Sequence, residues 1–499
     1  MGGKVFSSGP DPLDTPRMSQ DVYKHVKNKC TNALKDLGFS HVVSPVEAPE
    51  KKSFGDVDIL ACLEGTRFLS SAQLDNSTWA GIEMALDAKR SHSESRIGPA
   101  KQRIIDSKSF AVPWPAGFAL GEDVQGLNKT PSAQAKDLKT ASGRQFIQID
   151  LRLCDTHQEL EWRIFKHNHG DLWNMIGQTI RPFGLTADEI GLHIRIPEIE
   201  RQDKKKARVL LSSEPDKVIE FLGLMRHKGE KEKPFVPEEE EPFDSVKDLF
   251  EYAASCKWFM LWPENPEEKA TTHDDTEANA IKQIEAELKK LKANDRARMK
   301  QRPVFARWVD EFIPACRAQG RFVVPNPEKR TLEDVRNEVR ELAFNTFPGS
   351  EADYNASLAD WNKEKTRIFV KNKVIKEDMC LPTNITAVLP SPRERDGDTS
   401  INPQDLEKNW RGALRSALAK VIIDDDETFE GIVPPRLRDA DGVLEVDAVK
   451  DWINLNWEEV GRVAWRSNYA RAEESRKRKE ATKEAQEGKA TVTIIGGKP

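Results

Sequence analysis

The chain has 499 residues and a net charge of −6, from 77 lysines and arginines against 83 aspartates and glutamates. This length exceeds what one compact core usually accommodates, so we expect two or three domains. The content of 21 Phe and 12 Trp excludes disorder of the whole chain. The near balance of charge excludes a simple polycation, so any nucleic-acid binding must come from a local patch.

The sequence carries no sign of export or of a membrane anchor. No apolar run approaches the roughly 20 residues of a membrane span, and residues 1–6 lack the apolar stretch of a secretory signal. The six cysteines are scattered without a Cys-x-x-Cys pair, which favours buried free thiols and argues against a zinc site. The basic run 476–479 lies among glutamates, which favours a solvated helix over a nuclear signal. We therefore expect an intracellular protein, cytoplasmic rather than nuclear, with no membrane partner.

The predicted elements of the first third alternate between helix and strand. After a loop over 1–17, a helix over 21–38 precedes strands over 39–44 and 54–63. A mixed stretch over 66–143 then leads to a strand over 145–153. This order predicts a mixed α/β (α+β) sheet with helices, followed by mainly helical C-terminal regions.

The later elements are predicted to be mostly helices. The expected segments are a helix over 157–159 and beyond, a helix over 171–180, a solvated acidic linker over 227–242, and helices over 276–300, over 331–344, from Asn402 and over 448–480. Four tryptophans at apolar helical positions are interpreted as core: Trp410, Trp452, Trp457 and Trp465. We predict a core over 1–170, an accessory helical and mixed region over 171–265 that completes it, and a mainly helical region over 266–499.

Two carboxylates in the second predicted strand give the sharpest chemical signal. Side chains of a strand alternate between faces, so Asp56 and Asp58 share one face while Val57 and Ile59 face the core. Two like charges on one face repel each other unless a cation lies between them. Hard divalent ions such as Mg²⁺ or Mn²⁺ prefer oxygen ligands of this kind. A solvent-facing strand edge is the alternative interpretation of this pair.

The third predicted strand repeats the pattern and supplies a third carboxylate. Gln148, Asp150 and Arg152 share one face of this strand, opposite its apolar residues. If this strand pairs with the second one, Asp150 stands beside Asp56 and Asp58. Nucleotidyl transfer uses such a carboxylate set to hold two metal ions about 3.5–4 Å apart. We therefore predict Asp56, Asp58 and Asp150 as metal ligands and catalytic residues.

The arrangement resembles the DNA polymerase β-like nucleotidyltransferase superfamily. That family has a helix, a Gly-Ser turn, Asp-x-Asp on a strand and a third Asp on a later strand, which correspond here to Val43-Ser44, Asp56-Val57-Asp58 and Asp150. The segments 2–6, 15–18 and 165–171 are similar to a subgroup of phage and viral nucleotidyltransferase-like proteins. The resemblance covers residues 1–262. It implies transfer of a nucleoside monophosphate from an NTP to an acceptor hydroxyl, on an RNA end, a protein or a small molecule.

Three residues are predicted to contact the nucleotide. The resemblance implies that Ser44 meets the triphosphate, while Lys51 and Lys52 lie in the turn before Asp56, where they clamp phosphates or are simply solvated. Of these two we select Lys52. Arg152, on the carboxylate face, pairs with Asp150 or meets a phosphate, and Arg17 is a weaker candidate.

Two features support other interpretations. The turn glycine of the family is Val43 here, so a catalytically inactive binding or scaffold protein on the same fold is the alternative function. His167-x-His169 has a spacing found in metal sites, but the following Gly-Asp favours a helix start.

Overall fold

The computed structural model describes residues 3–8, 10–64, 74–97, 103–118, 145–226, 235–262, 302–326, 329–377, 380–390, 402–426, 432–434 and 436–495. The chain forms two compact units, Met1–Ala352 and Asp353–Pro499. The described segments contain no helix that is both long and apolar enough to pass through a bilayer. The predicted helix over 276–300 lies outside the described residues.

A five-stranded mixed sheet forms the centre of the first unit. Its strands are β1 (Val42–Val43), β2 (Asp56–Cys62), β3 (Arg90–Ile97), β4 (Arg103–Pro113) and β5 (Phe146–Cys154), in the order β1-β2-β5-β4-β3. Strands β2 and β5 are parallel, and the other neighbours are antiparallel. The predicted mixed α/β sheet is therefore confirmed.

One face of this sheet is apolar because alternate residues of β2 and β5 are aliphatic. Val57, Ile59, Ile149 and Leu151 are fully buried there. Helices α1 (Gln20–Asp36) and α2 (Asn76–Ala85) cover this face with their own apolar side chains, which include Val22, Val26, Trp79 and Ile82. Burial of each such side chain contributes about 1.5–3 kcal/mol, so the packing fixes which face of each strand points inward.

The rest of the first unit is a second sheet and a series of helices. The second sheet has the order β6 (Leu185–Ala187), β7 (Leu192–Arg195) and β8 (Arg208–Ser212). The helices are α3 (His157–His167), α4 (Leu172–Ile180), α5 (Pro197–Glu200), α6 (Pro215–Leu222), α7 (Val246–Ala254), α8 (Pro303–Arg307), α9 (Ile313–Ala318) and α10 (Leu332–Thr346). Short 3₁₀ or π turns occupy Arg181–Phe183, Pro237–Glu239 and Trp308–Phe312.

The segment predicted as a solvated acidic linker packs against the first unit along its described part. Phe235 is buried against Leu160 and Ile164 of α3, and Glu240 lies 3.1 Å from the His169 imidazole. The run of glutamates indicates a solvated segment, but the aromatic residues beside it pack into the protein. The first unit extends to Ala352 and includes the aromatic pair Phe259 and Trp308. The functional division predicted at 170/171 and 265/266 stays a prediction.

The second unit is helical, as predicted for the C-terminal half. Its elements are α11 (Ser350–Phe369), α12 (Pro403–Leu418) and α13 (Val446–Ile495), with turns at Val370–Lys376, Thr386–Val388 and Ala419–Ile423. Asn402 caps α12 through the Asp405 N–H. Trp410 and Trp452 are buried and Trp457 and Trp465 pack against the same core, which confirms their assignment.

The contact between α12 and α13 gives a test of this core. A Cβ added at Gly461 would lie 2.1 Å from the Trp410 indole ring, whereas one added at Gly412 meets nothing within 4 Å. We expect Gly461→Ala to lower the free energy of unfolding by about 1–3 kcal/mol through overpacking. Gly412→Ala, the matched control, should raise it by about 0.5–1 kcal/mol through helix propensity. Urea unfolding of both variants measures this, and a tolerated Gly461→Ala contradicts the packing.

Candidate active site

The register of β2 and β5 brings the predicted carboxylates together. The two strands run parallel with Asp58 directly opposite Asp150 and Asp56 directly opposite Gln148. Paired positions lie on the same face of a sheet, so all three aspartates share the face opposite the α1 and α2 core. The predicted placement of the three aspartates on one face is therefore present in the structure, and their reach to a shared cation stays a prediction.

Polar neighbours contact two of these carboxylates. The Gln148 amide donates to both oxygens of Asp150 at 2.9 Å, and Ser109, opposite Asp150 on β4, also bonds to it. Asp56 accepts a hydrogen bond of 3.1 Å from the Gly3 backbone N–H. These donors stabilise the ionised carboxylates where water is partly excluded.

Burial and mutual repulsion make the three carboxylates weak acids. Burial raises the pKa of Asp58 to about 7, and the negative charges of Asp56, Asp150 and Glu47 add to that increase. Burial also raises the pKa values of Asp56 and Asp150. The Lys51 ammonium and the Gly3 N–H oppose the increase at Asp56, and Ser109 and Gln148 oppose it at Asp150. A cation between the carboxylates would relieve the repulsion that remains.

Asp58 faces an open cleft of about 490 Å³. The residue keeps an exposed surface, but the protein atoms around it disfavour the charged form and raise its pKa. Two parts of the first unit line this cleft. The sheet and its loops supply Arg17, Pro45, Val46, Glu47, Lys51, Gly55, Asp56 and Asp58, and the later segments supply Lys166, His167, Gly170, Trp173, Asn174, Gly177, Arg181, Thr186, Ala187 and Arg302.

The turn between α3 and α4 joins these two parts. The Val46 N–H donates to Asn168 Oδ1 at 2.9 Å, and the His169 N–H donates to the Val46 carbonyl at 2.7 Å. Gly170 has φ +63°, and a Cβ there would lie 2.8 Å from Ala48 Cβ. The turn thereby holds the start of α4 beside the Pro45–Ala48 loop, which places Gly177 and Arg181 in the cleft.

The His167-x-His169 pair does not converge on one point in the structure. The His167 imidazole lies 3.5 Å from Glu189, whereas that of His169 lies 3.1 Å from Glu240. The following Asp171 is the N-cap of α4, in agreement with the predicted helix start.

The three predicted nucleotide-binding residues lie beside the cleft rather than in its lining. The Ser44 hydroxyl donates to the Asp58 backbone carbonyl at 2.6 Å, Lys52 is exposed, and Arg152 lies 3.7 Å from Glu189. Val43, the last residue of β1, is buried in an apolar cluster. Among the described residues, Lys51 rather than Lys52 is the lysine of this turn that lines the cleft.

Several cleft residues were not predicted from the sequence. Arg302 reaches the cleft from far along the chain by donating to Asp171 Oδ1 at 2.7 Å, and no local pattern identifies it. Arg181 and Glu47 likewise belong to no motif, and Lys166 lies in the segment 165–171 of the resemblance without being predicted as a cleft residue. The alternation of β5 did place Gln148 on the carboxylate face, but its contact with Asp150 could not be anticipated.

The donor set fits a hard divalent cation in its chemistry, because carboxylate oxygens are the ligands such ions prefer. Asp56, Asp58 and Asp150 are the residues that would hold it. Within the described residues, however, no group of three or more His, Cys, Asp or Glu side chains is already gathered as a metal site. The three aspartates share a face without being drawn around one point.

Comparisons with models of known protein families and with curated proteins find no match for this chain. The interpretation of the cleft therefore depends on its geometry and charge.

The pKa shift at Asp58 predicts how the stability of the metal-free protein changes with pH. Its folded-state pKa of about 7 lies above the ordinary value of 3.8. The folded state therefore binds this proton more tightly, and its contribution to stability is lost as the pH rises from about 4 through 7. In chelator at pH 8, Asp58→Asn should raise the free energy of unfolding by up to ~1 kcal/mol and flatten this pH dependence.

Urea unfolding at pH 5 and pH 8 measures both effects. Asp36→Asn, at the exposed end of α1, controls for loss of a carboxylate elsewhere. A less stable Asp58→Asn protein at pH 8 contradicts the assignment of repulsion to this cluster.

Proposed function

We propose that the chain is a metal-dependent nucleotidyltransferase with a polymerase β-like catalytic sheet. It would move a nucleoside monophosphate from an NTP to an acceptor hydroxyl on an RNA end, a protein or a small molecule, with release of pyrophosphate. The observation that carries the proposal is the direct pairing of Asp58 with Asp150, together with a cleft that is lined by Asp56, Asp58 and cationic side chains.

The carboxylates supply the chemistry of the proposed reaction. Bound Mg²⁺ or Mn²⁺ would stabilise the charge that develops on the phosphates and the attacking oxygen. Asp56 and Asp58 would hold the ions, and Asp150 would complete the set and orient the acceptor. The acceptor oxygen bonds to the α-phosphorus, the bond from that phosphorus to the β-bridging oxygen breaks, and Asp150 receives the hydroxyl proton.

The cleft carries cationic side chains suited to a triphosphate, of which Lys51, Lys166 and Arg302 also pair with carboxylates in the structure. Arg17 and Lys51 come from the sheet side, and Lys166, Arg181 and Arg302 come from the later segments. Arg17 is held by Ser53, with its Nε bonded to the hydroxyl at 2.9 Å and Nη2 bonded to the carbonyl at 2.7 Å. Cations fixed in this way bind phosphates without first losing side-chain freedom.

A non-catalytic binding protein on the same fold is the second candidate. The buried Val43 side chain occupies the turn where the family has glycine, and the Ser44 hydroxyl is engaged by the Asp58 carbonyl. Both features favour a turn that does not receive a triphosphate. Under this alternative the aspartates would be retained without metal-dependent transfer.

Mn²⁺ binding separates the two candidates. We expect Mn²⁺ to raise the melting temperature of the unmodified protein, because a ligand stabilises the state that binds it. Asp58→Asn should abolish this rise and reduce nucleotidyl transfer by orders of magnitude, since the metals supply much of the transition-state stabilisation. Asp36→Asn should retain both properties.

Thermal melts with Mn²⁺, and incubation with each labelled NTP, Mn²⁺ and cell extract, make the measurements. A Mn²⁺ response that persists in Asp58→Asn, or is absent from the unmodified protein, contradicts the catalytic proposal.

The cleft itself can be tested at Gly177. A Cβ added there meets nothing within 4 Å, and the residue lines the cleft. Gly177→Phe should therefore fill the nucleotide space and weaken NTP binding by more than about tenfold, the equivalent of about 1.4 kcal/mol. Mn²⁺ binding should persist.

Gly177→Ala, which adds one methyl group, is the matched control and should bind the nucleotide. Titration with a non-hydrolysable NTP in the presence of Mn²⁺ gives both affinities. Equal affinities for Gly177→Phe and Gly177→Ala would place the nucleotide outside this cleft.

A further inference from the structure

The N-terminal segment 3–6 crosses the carboxylate face and is called the N-terminal strap below. Its Gly3 N–H donates to Asp56 Oδ2 at 3.1 Å, and its Val5 N–H donates to Gln148 Oε1 at 3.0 Å. The Gln148 amide nitrogen in turn donates to both oxygens of Asp150 at 2.9 Å. Two backbone N–H groups of one segment therefore reach two of the three carboxylates, one directly and one through Gln148.

The strap is anchored on both sides of these contacts. The Thr15 hydroxyl donates to the Gly3 carbonyl at 3.0 Å, and the Leu13 N–H donates to the Phe6 carbonyl at 2.8 Å. The Phe6 ring is buried against Ala111 and Phe146 of the sheet. These contacts fix the position of the strap over the strands.

Gly3 is the position that allows this close approach. Its φ is +80°, and a Cβ there would lie 2.2 Å from the Gly55 carbonyl oxygen. Only glycine combines this φ with this contact at little cost. Any larger residue would displace the N–H that Asp56 accepts.

Gln148 has the properties of a positioning residue. It is 2% exposed, and its amide oxygen accepts from Val5 while its nitrogen donates to Asp150. Because Val5 presents a donor, the amide oxygen must face the strap, and the NH₂ group is therefore directed at Asp150. A residue without this amide removes both hydrogen bonds that Gln148 donates to Asp150 and leaves the Ser109 contact alone to orient that carboxylate.

We propose that the N-terminal strap positions the carboxylates for metal binding, with Gln148 as the residue through which it acts on Asp150. This inference rests on the proposed function, because it assigns the strap to the same metal-binding carboxylates. Partners that orient metal ligands typically change metal affinity by about 10–100-fold when they are lost. The proposed role of the strap therefore predicts a loss of metal affinity, which a general loss of stability does not predict.

The test uses variants of the full chain. Val5→Pro removes the N–H that Gln148 accepts, and Val5→Ala, the matched control, keeps it; the Val5 side chain is 36% exposed, so neither change disturbs a core. Gln148→Leu removes the amide at similar size. Mn²⁺ affinity is measured by electron paramagnetic resonance, and the metal-free melting temperature of each variant reports its folding.

The expected result is a 10–100-fold weaker Mn²⁺ affinity for Val5→Pro and Gln148→Leu, with Val5→Ala unchanged. The double variant should be no weaker than Gln148→Leu, because both changes interrupt one path. If Val5→Pro and Val5→Ala bind Mn²⁺ with equal affinity, and the unmodified protein binds it normally, the strap does not position the carboxylates. The proposed function is unaffected by that result. Absence of Mn²⁺ binding by the unmodified protein overturns both. If Gln148→Leu does not fold, the Mn²⁺ affinity of Val5→Pro compared with that of Val5→Ala remains the test.

Discussion

The parallel register of β2 and β5 is the constraint on which the rest of the site depends. It places Asp58 opposite Asp150 and Asp56 opposite Gln148, so three like charges occupy one patch of the sheet. The aliphatic residues between them hold this register on the other face. A slip of β2 by one residue would turn Val57 and Ile59 away from the core and turn Asp56 and Asp58 into it. Because the packing of the core fixes this register, the three carboxylates stay close together despite their mutual repulsion.

Hydrogen-bond donors beside the carboxylates offset part of this repulsion, and the rest of it remains. Gly3, Ser109 and Gln148 donate to the carboxylates, and Lys51 adds a positive charge nearby. The pKa of Asp58 still rises to about 7. Repulsion of this kind is typical of a site that completes its charge balance by binding a cation. It is difficult to explain for a surface that only supports packing.

The sequence allowed the strands and the carboxylate face to be predicted because both follow from local alternation. Period-two placement identified Asp56, Asp58 and Asp150, apolar spacing identified α1, and a capping box at Thr331 identified α10. The hairpin of β3 and β4 was not predicted, because polar residues such as Arg90, His92, Glu94 and Lys108 interrupt its apolar pattern. Contacts between distant segments were also beyond reach.

Arg302 illustrates this limit at the cleft, since its contact with Asp171 depends on tertiary packing alone. Ser44 is predicted from the resemblance and Lys52 from its place in the turn before Asp56, but neither ground fixes the direction of a side chain. The N-terminal strap shows the same limit, because a glycine-rich sequence gives no indication of the carboxylate it will contact.

Anomalous diffraction from crystals soaked with Mn²⁺ and a non-hydrolysable NTP tests the carboxylate site most directly. We expect Mn²⁺ density between Asp56, Asp58 and Asp150, with the triphosphate extending toward Lys51 and Arg181. Ordered nucleotide at another site, or Mn²⁺ density away from the three aspartates, would contradict this expectation.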